Sequence, residues 1–286
     1  MSSRFKILLL LTPALFVICV LFLGGLGLGL ARSFNYMPVI GLTEPSFHAY
    51  IAVFTNPEFY QSLGLSLYIS ITSTVISTVL AVACALLLRE SFAGKRTVTF
   101  LFQLNLTIPH VVGAVAMLFL LSQSGFLARI GYLFGIIDQP SEFPEMIYDD
   151  YAIGIILQYV WKETPFIGLI ALAILQSMGD DYESVARSLG ANRWQRLFYV
   201  IIPLITPGVM RACIVAFAFT FGAFEVPYLI GKTYPTVLPV LAYQSYTDVD
   251  LTLRPEAMAM ALVIAFISTI LIVAYLRVSR RFVRFD

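Results

Sequence analysis

DDYESVARSLGANRWQRLFYVIIPLITP, residues 180–207, is the longest run of the chain that cannot itself sit in lipid, although long apolar segments lie on both sides of it. Its first seventeen residues hold three arginines and three acids. Asp180 is expected to cap a first helix, with Glu183 at the spacing of a capping box, and Val185 and Leu189 then share a face. Gly190 stops that helix. Asn192 is expected to cap a second helix, in which Trp194, Leu197, Phe198 and Ile201 recur at helical spacing before Pro203 ends the pattern. The stretch therefore predicts a helical elbow with one apolar face and a basic rim, shaped to dock onto something.

The flanking composition says what holds the elbow. Of 286 residues, 59% are hydrophobic and 12% charged, about half of the ~25% charged content of a soluble domain. Such a chain cannot cover itself with polar surface, so it reads as an all-α polytopic membrane protein. Windows long enough for the ~20 residues of a helical span place six transmembrane helices near 7–31, 63–88, 98–122, 151–178, 208–231 and 256–276, in one domain over 1–286. The elbow occupies 180–207.

An even number of spans puts both termini on one side. Twelve basic residues fall on that side: Arg4 and Lys6, then Arg89, Lys95 and Arg96, the elbow's Arg187, Arg193 and Arg196, and finally Arg277, Arg280, Arg281 and Arg284. The opposite loops hold Arg32, Arg129, Lys232 and Arg254 and are acidic after span 3. The positive-inside rule makes the termini and the elbow cytoplasmic. The first span is too long for a signal-peptide core and is read as retained. A net charge of +1 averages a basic inner and an acidic outer surface and gives no reason to expect nucleic acid. Cys19, Cys84 and Cys213 lack paired spacing, so neither a disulfide framework nor a metal site is expected.

Polar residues inside spans are functional candidates by default. Pro109 is expected to kink or break the third span, leaving Asn105, Thr107 and His110 beside free backbone groups. Lys162 and Glu163 are adjacent in span 4 and so point about 100° apart on a helix; each is expected to find partners on neighbouring helices or to reach a water-filled path. Glu225, among Phe221, Phe224, Pro227 and Tyr228, reads equally as a cation site and as a partnered structural acid. Asn105, His110, Lys162, Glu163, Phe221, Glu225 and Tyr228 are the candidate pathway residues. The glycines at 24, 25, 27 and 29 predict close helix packing, and the serines and threonines of span 2 predict a face buried in the bundle. No G-x-x-x-x-G-K-[ST], H-E-x-x-H or G-x-S-x-G occurs, so no catalytic residue and no nucleotide site are assigned to this chain.

The elbow resembles the cytoplasmic coupling loop of binding-protein-dependent ABC importer permeases of the type I, MetI-like superfamily. Ala186, Arg187, Leu189, Gly190, Ala191, Trp194, Ile202, Pro203, Leu204 and Pro207 fit that pattern. Counting back from Gly190 puts Ser184 at the family's glutamate position and Val185 and Ala186 at its alanines, with Glu183 one residue early, where it is read as a helix cap. The resemblance implies that Glu183, Ser184, Ala186, Arg187, Gly190, Ala191, Trp194 and Pro203 couple to an ATPase. Tyr159–Pro165 (YVWKETP), Phe219–Tyr228 (FTFGAFEVPY) and Arg254–Met260 (RPEAMAM) look like the spermidine/putrescine-type branch; permeases for ferric iron, thiamine and phosphonates share these segments. The resemblance further implies a bacterial inner-membrane location, a second permease subunit, two ATP-binding subunits that carry ATP and Mg, an extracytoplasmic solute-binding protein, and no cofactor in this chain. An ion-coupled secondary transporter, using Lys162, Glu163 and Glu225, and a membrane scaffold are the alternatives.

Overall fold

The computed structural model describes residues 3–90, 92–179 and 181–282. Among them the chain forms thirteen α-helices and no strand. In order these are α1 (Ser3–Ser33), α2 (His48–Thr55), α3 (Pro57–Arg89), α4 (Lys95–Thr107), α5 (His110–Leu121), α6 (Phe126–Leu133) and α7 (Ile153–Met178), followed by α8 (Asp181–Ser188), α9 (Arg193–Arg196), α10 (Ile202–Gly222), α11 (Glu225–Ile230), α12 (Leu238–Thr247) and α13 (Arg254–Phe282). Six helical stretches among the described residues are long and apolar enough to cross a membrane: Leu9–Ser33, Pro57–Arg89, His110–Leu133, Ile153–Met178, Arg193–Gly222 and Leu251–Arg277. The protein is an all-α, polytopic membrane protein.

Two compact units are distinguished, one of residues 1–61 and 238–266, the other of residues 62–237 and 267–286. In the first, α1 continues through Pro13, and an apolar window of 18 residues within Leu9–Ser33 has none of its residues buried. The expected close packing of its glycines is not found. A side chain built at Gly24, Gly25 or Gly27 would meet nothing within 4 Å, and one at Gly29 only Met258 Sδ at 3.9 Å. The end of α1 is tied instead to α2, where the Ser33 hydroxyl lies 2.9 Å from that of Tyr50 and the Phe34 ring packs edge-on against Phe47 at 5.2 Å.

The second unit is organised around α7, in which 72% of the apolar window is buried. Ala81, Ala85 and Leu88 of α3 meet Ile167, Ala171, Leu172 and Leu175 of α7 and Ile205, Val209, Ala212 and Ala216 of α10 in one apolar core. On α3, Ser62, Ser66, Ser70, Ser73 and Ser77 recur at steps of three and four and are all buried, so the hydroxyl-rich face does turn into the bundle. Several of these hydroxyls donate to the preceding turn of their own helix, as Ser66 does to Ser62 O and Ser70 to Ser66 O, so these enter an apolar interior without stranding a donor, whereas the Ser62 hydroxyl has no partner among the described residues. Gly113 brings α5 close to α7, since a Cβ there would lie 3.1 Å from the Trp161 ring.

Three expected boundaries are revised. The third apolar stretch, expected over 98–122, is divided: α4 stops at Thr107, Ile108 is extended, and the membrane-length stretch begins at His110. Pro109 has no N–H to donate to Asn105 O and crowds the preceding turn, and the helix breaks there. Pro203 does not end its helix. Residues 197–201 form a π-helical turn in which the Ile202 N–H reaches back five residues to Leu197 O, and α10 continues past Pro203 and Pro207 to Gly222. The wider turn absorbs the missing proline donor without breaking the rod. The fifth span, expected over 208–231, ends at Gly222, and Glu225–Ile230 form the separate short α11.

Candidate functional site

Local chemistry shapes the elbow as the sequence predicts. Gly190 follows α8 in the left-handed region at φ +86°; its N–H donates to Arg187 O at 3.0 Å and that of Ala191 to Ala186 O at 3.0 Å. These are the two bonds of a Schellman turn, which needs a residue without a Cβ penalty at Gly190. Asn192 then caps α9: its side chain accepts the Gln195 N–H at 2.9 Å, and Gln195 Oε1 accepts the Asn192 N–H at 2.8 Å. Sequence neighbours supply both caps, which is why periodicity and residue type located them.

The Asp180 half of the capping box expected for Glu183 lies outside the described residues. The Glu183 carboxylate pairs with Arg89 Nη2 at 2.5 Å and with Arg196 Nε at 3.6 Å. One carboxylate therefore joins α8 to both the end of α3 and α9. Its side chain is only 14% exposed and that of Arg89 22%, so the pair is less screened than a surface one. We expect an Arg89→Gln/Glu183→Gln double-mutant cycle, read by protection of the elbow from limited proteolysis, to give a coupling of about 1 kcal/mol; strictly additive single effects would refute the clasp.

On the other side of the elbow a row of large apolar groups is open. Tyr182, Val185 and Leu189 of the first helix are 55%, 61% and 82% exposed, and Trp194, Phe198 and Tyr199 of the second are 69%, 57% and 79% exposed. Trp194 and Phe198 stack at 6.1 Å. Of the other expected coupling residues, Ser184, Arg187, Gly190 and Pro203 are exposed, and Ala186 and Ala191 are half-buried at the turn.

The midspan candidates separate into two groups. Lys162 and Glu163 are 4% and 5% exposed and, as expected, turn to different helices. Lys162 Nζ donates to Asn105 O at 2.7 Å and Ile108 O at 2.6 Å, the carbonyls at the α4 break. Asn105 donates its amide to Trp161 O. Glu163 accepts from the Ser77 hydroxyl at 3.4 Å and from Thr220, so α3, α7 and α10 meet on one carboxylate. Phe221 is 1% exposed and stacks on Phe217. These four groups are placed as internal struts.

His110 and Glu225, far apart in sequence, line one cavity of about 280 Å³ together with Tyr159, Phe219 and Phe224. The His110 ring packs on Phe219 at 4.6 Å. His110 Nδ1 and the Tyr159 hydroxyl are buried with no hydrogen-bond partner among the described residues. Tyr228 stands beside the cavity, half exposed and stacked on Phe224 at 4.9 Å. Sequence reasoning had not singled out Tyr159 and Phe219 as lining residues, nor Arg89, Ser77 and Thr220 as partners. Only Tyr159, two residues before the Trp161–Lys162–Glu163 cluster, offered a local signal.

Similarity to known proteins follows the same architecture. The sulfate transport system permease protein CysT of Escherichia coli (strain K12) is 25% identical over 247 residues, covering 86% of this chain and 86% of CysT. The molybdenum transport system permease protein ModB of Mycobacterium tuberculosis (strain ATCC 25618 / H37Rv) is 27% identical over 246 residues, covering 84% of this chain and 87% of ModB. A crystal structure of a bacterial alginate ABC transporter, in complex with an alginate pentasaccharide-bound periplasmic protein, contains a chain that shares the fold at a TM-score of 0.81 and 19% identity, over 99% of this chain and 96% of that one. The profile of the family described as "Binding-protein-dependent transport system inner membrane component" matches residues 77–284, well over half of the chain, and the protein belongs to that family.

Proposed function

We propose that this chain is one permease subunit of an ATP-driven importer, forming half of a translocation pathway and coupling through the elbow to a cytoplasmic ATP-binding subunit. The observation that carries this reading is the row Tyr182, Val185, Leu189, Trp194, Phe198 and Tyr199, large apolar groups left open on a charged segment. An apolar row rimmed by charge marks a protein contact. A chain with one elbow fits a pair of permeases over two ATP-binding subunits that carry ATP and Mg, with an extracytoplasmic binding protein supplying the solute. The elbow and both termini lie on the cytoplasmic side of the inner membrane in this reading, as the distribution of basic residues supports. His110, Glu225 and Tyr228 are proposed for the pathway. The spermidine/putrescine-type reading rests on the segments around Tyr159 and Glu225; the relatives above carry the names of sulfate and molybdenum systems, so the solute is assigned here only as small and polar.

Affinity purification of the chain, co-expressed with its ATP-binding subunit, tests the docking reading. Leu189→Asp removes a large side chain from the row and is expected to weaken retention of that subunit by about thirtyfold, the loss of about 2 kcal/mol of apolar burial. Unchanged retention, or uptake by this chain alone driven by an ion gradient, would overturn the proposal.

A further inference from the structure

The two sides of α8 differ in kind. Tyr182, Val185 and Leu189 form the open apolar row, whereas Glu183, Ser184 and Arg187 line a cavity of about 700 Å³ between the elbow and the end of α3. Four arginines contribute to that cavity, Arg89, Arg187, Arg193 and Arg196, against two carboxylates, Glu90 and Glu183. Glu183 is shared by Arg89 and Arg196, and Glu90 stands 3.5 Å from Arg89. Arg187 and Arg193 have no carboxylate in ion-pair contact among the described residues. The cavity thus holds a surplus of two positive charges, and the guanidinium groups left over repel one another unless an anion joins them.

The rest of the lining indicates what kind of anion fits. Leu86, on the last turns of the membrane-length helix α3, and Leu197 and Ile201, at the start of the stretch that runs into α10, give the cavity an apolar side. A guanidinium fork matches phosphate oxygens in bidentate geometry. Basic pockets where spans leave the bilayer recognise anionic headgroups. We propose that this cavity holds the phosphate of an anionic phospholipid headgroup, held by Arg187 and Arg193, with the glycerol end of the lipid against Leu86 and Leu197. The lipid would brace the elbow against α3 from the side opposite the apolar row, so the site does not depend on what docks there.

Native mass spectrometry of the purified full-length chain in neutral detergent, titrated with phosphatidylglycerol, phosphatidylcholine or inorganic phosphate, reads the site directly. Phosphatidylglycerol is expected to bind and phosphatidylcholine to bind at least tenfold more weakly. Arg187→Gln with Arg193→Gln should lower phosphatidylglycerol affinity by about thirtyfold, as expected for two basic groups at a lipid surface. The charge-preserving pair Arg187→Lys and Arg193→Lys should retain most of the binding, which separates loss of the site from loss of the fold. Equal binding of the two lipids, or no change in the glutamine pair, would overturn the proposal. Inorganic phosphate binding as tightly as phosphatidylglycerol would also overturn it, by assigning the cavity to a soluble anion.

Discussion

Lys162→Met is expected to cost about 3 kcal/mol or more of stability, from the loss of two hydrogen bonds made by a charged donor in a buried setting. The reason lies in the break at Pro109. In a continuous helix Asn105 O would accept the N–H of residue 109, and proline has none. Asn105 O receives the Ile108 N–H at 3.2 Å instead, and Ile108 O belongs to an extended residue with no helical partner. Within a membrane, water cannot repair such carbonyls. Lys162 Nζ reaches both, at 2.7 and 2.6 Å, and places a cation at the C-terminal end of α4, where the helix dipole favours it. Methionine has similar length and packs well but leaves Ile108 O unpaired and Asn105 O with only the Ile108 N–H. Thermal unfolding of the detergent-solubilised chain should show the loss, with Lys162→Arg intermediate because a guanidinium keeps the charge but not the compact point geometry. Because the same break sets the first turn of α5, where His110 sits, uptake should fall with stability. A methionine variant as stable as the parent would refute the capping role.

Gly190→Asp is expected to separate ATP hydrolysis from uptake: the assembly inserts and hydrolyses ATP while uptake falls at least about tenfold. In the chain itself the substitution is mild. A Cβ at Gly190 would meet nothing within 4 Å, and aspartate is among the residues that enter the left-handed region at least cost. Its effect would come from a carboxylate set next to Leu189 on the docking face. Gly190→Val supplies the comparison. A β-branched residue at φ +86° strains the turn by about 1–2 kcal/mol, so elbow protection from proteolysis should drop in the valine variant and hold in the aspartate one. Uptake by Gly190→Asp that remains fully coupled would sink the coupling role of this turn.

Features made by neighbours in sequence were legible beforehand. The stop at Gly190, the Asn192 cap and the break at Pro109 each depend on residues within about one helical turn, so residue type and spacing were sufficient. Glu183 shows the limit. Its spacing from Asp180 suggested a local cap, and nothing in that spacing announced its pairing with two guanidinium groups, one of them Arg89, 94 positions away. Pro203 shows a second limit, because a π-helical turn can absorb a proline when packing on both sides favours a continuous rod. Leu197, Ile201 and Ile205 all lie against the apolar core of the second unit, which supplies that packing. The glycines of α1 permit close approach, and among the described residues no helix of this chain comes within 4 Å of a side chain built at Gly24, Gly25 or Gly27.

The amino-acid sequence by itself determined that the chain spans a membrane, how many apolar stretches do so, and that a charged helix–turn–helix interrupts them. Apolar length, charge and capping are properties of short segments and act before any tertiary contact forms. The tertiary structure alone decided which charge meets which partner: Lys162 with the carbonyls of the α4 break, Glu163 with Ser77 and Thr220, Glu183 with Arg89 and Arg196, and His110 with Glu225 around one cavity. A buried charge must find compensation somewhere in the fold. Among segments tens of residues apart, helix packing settles where.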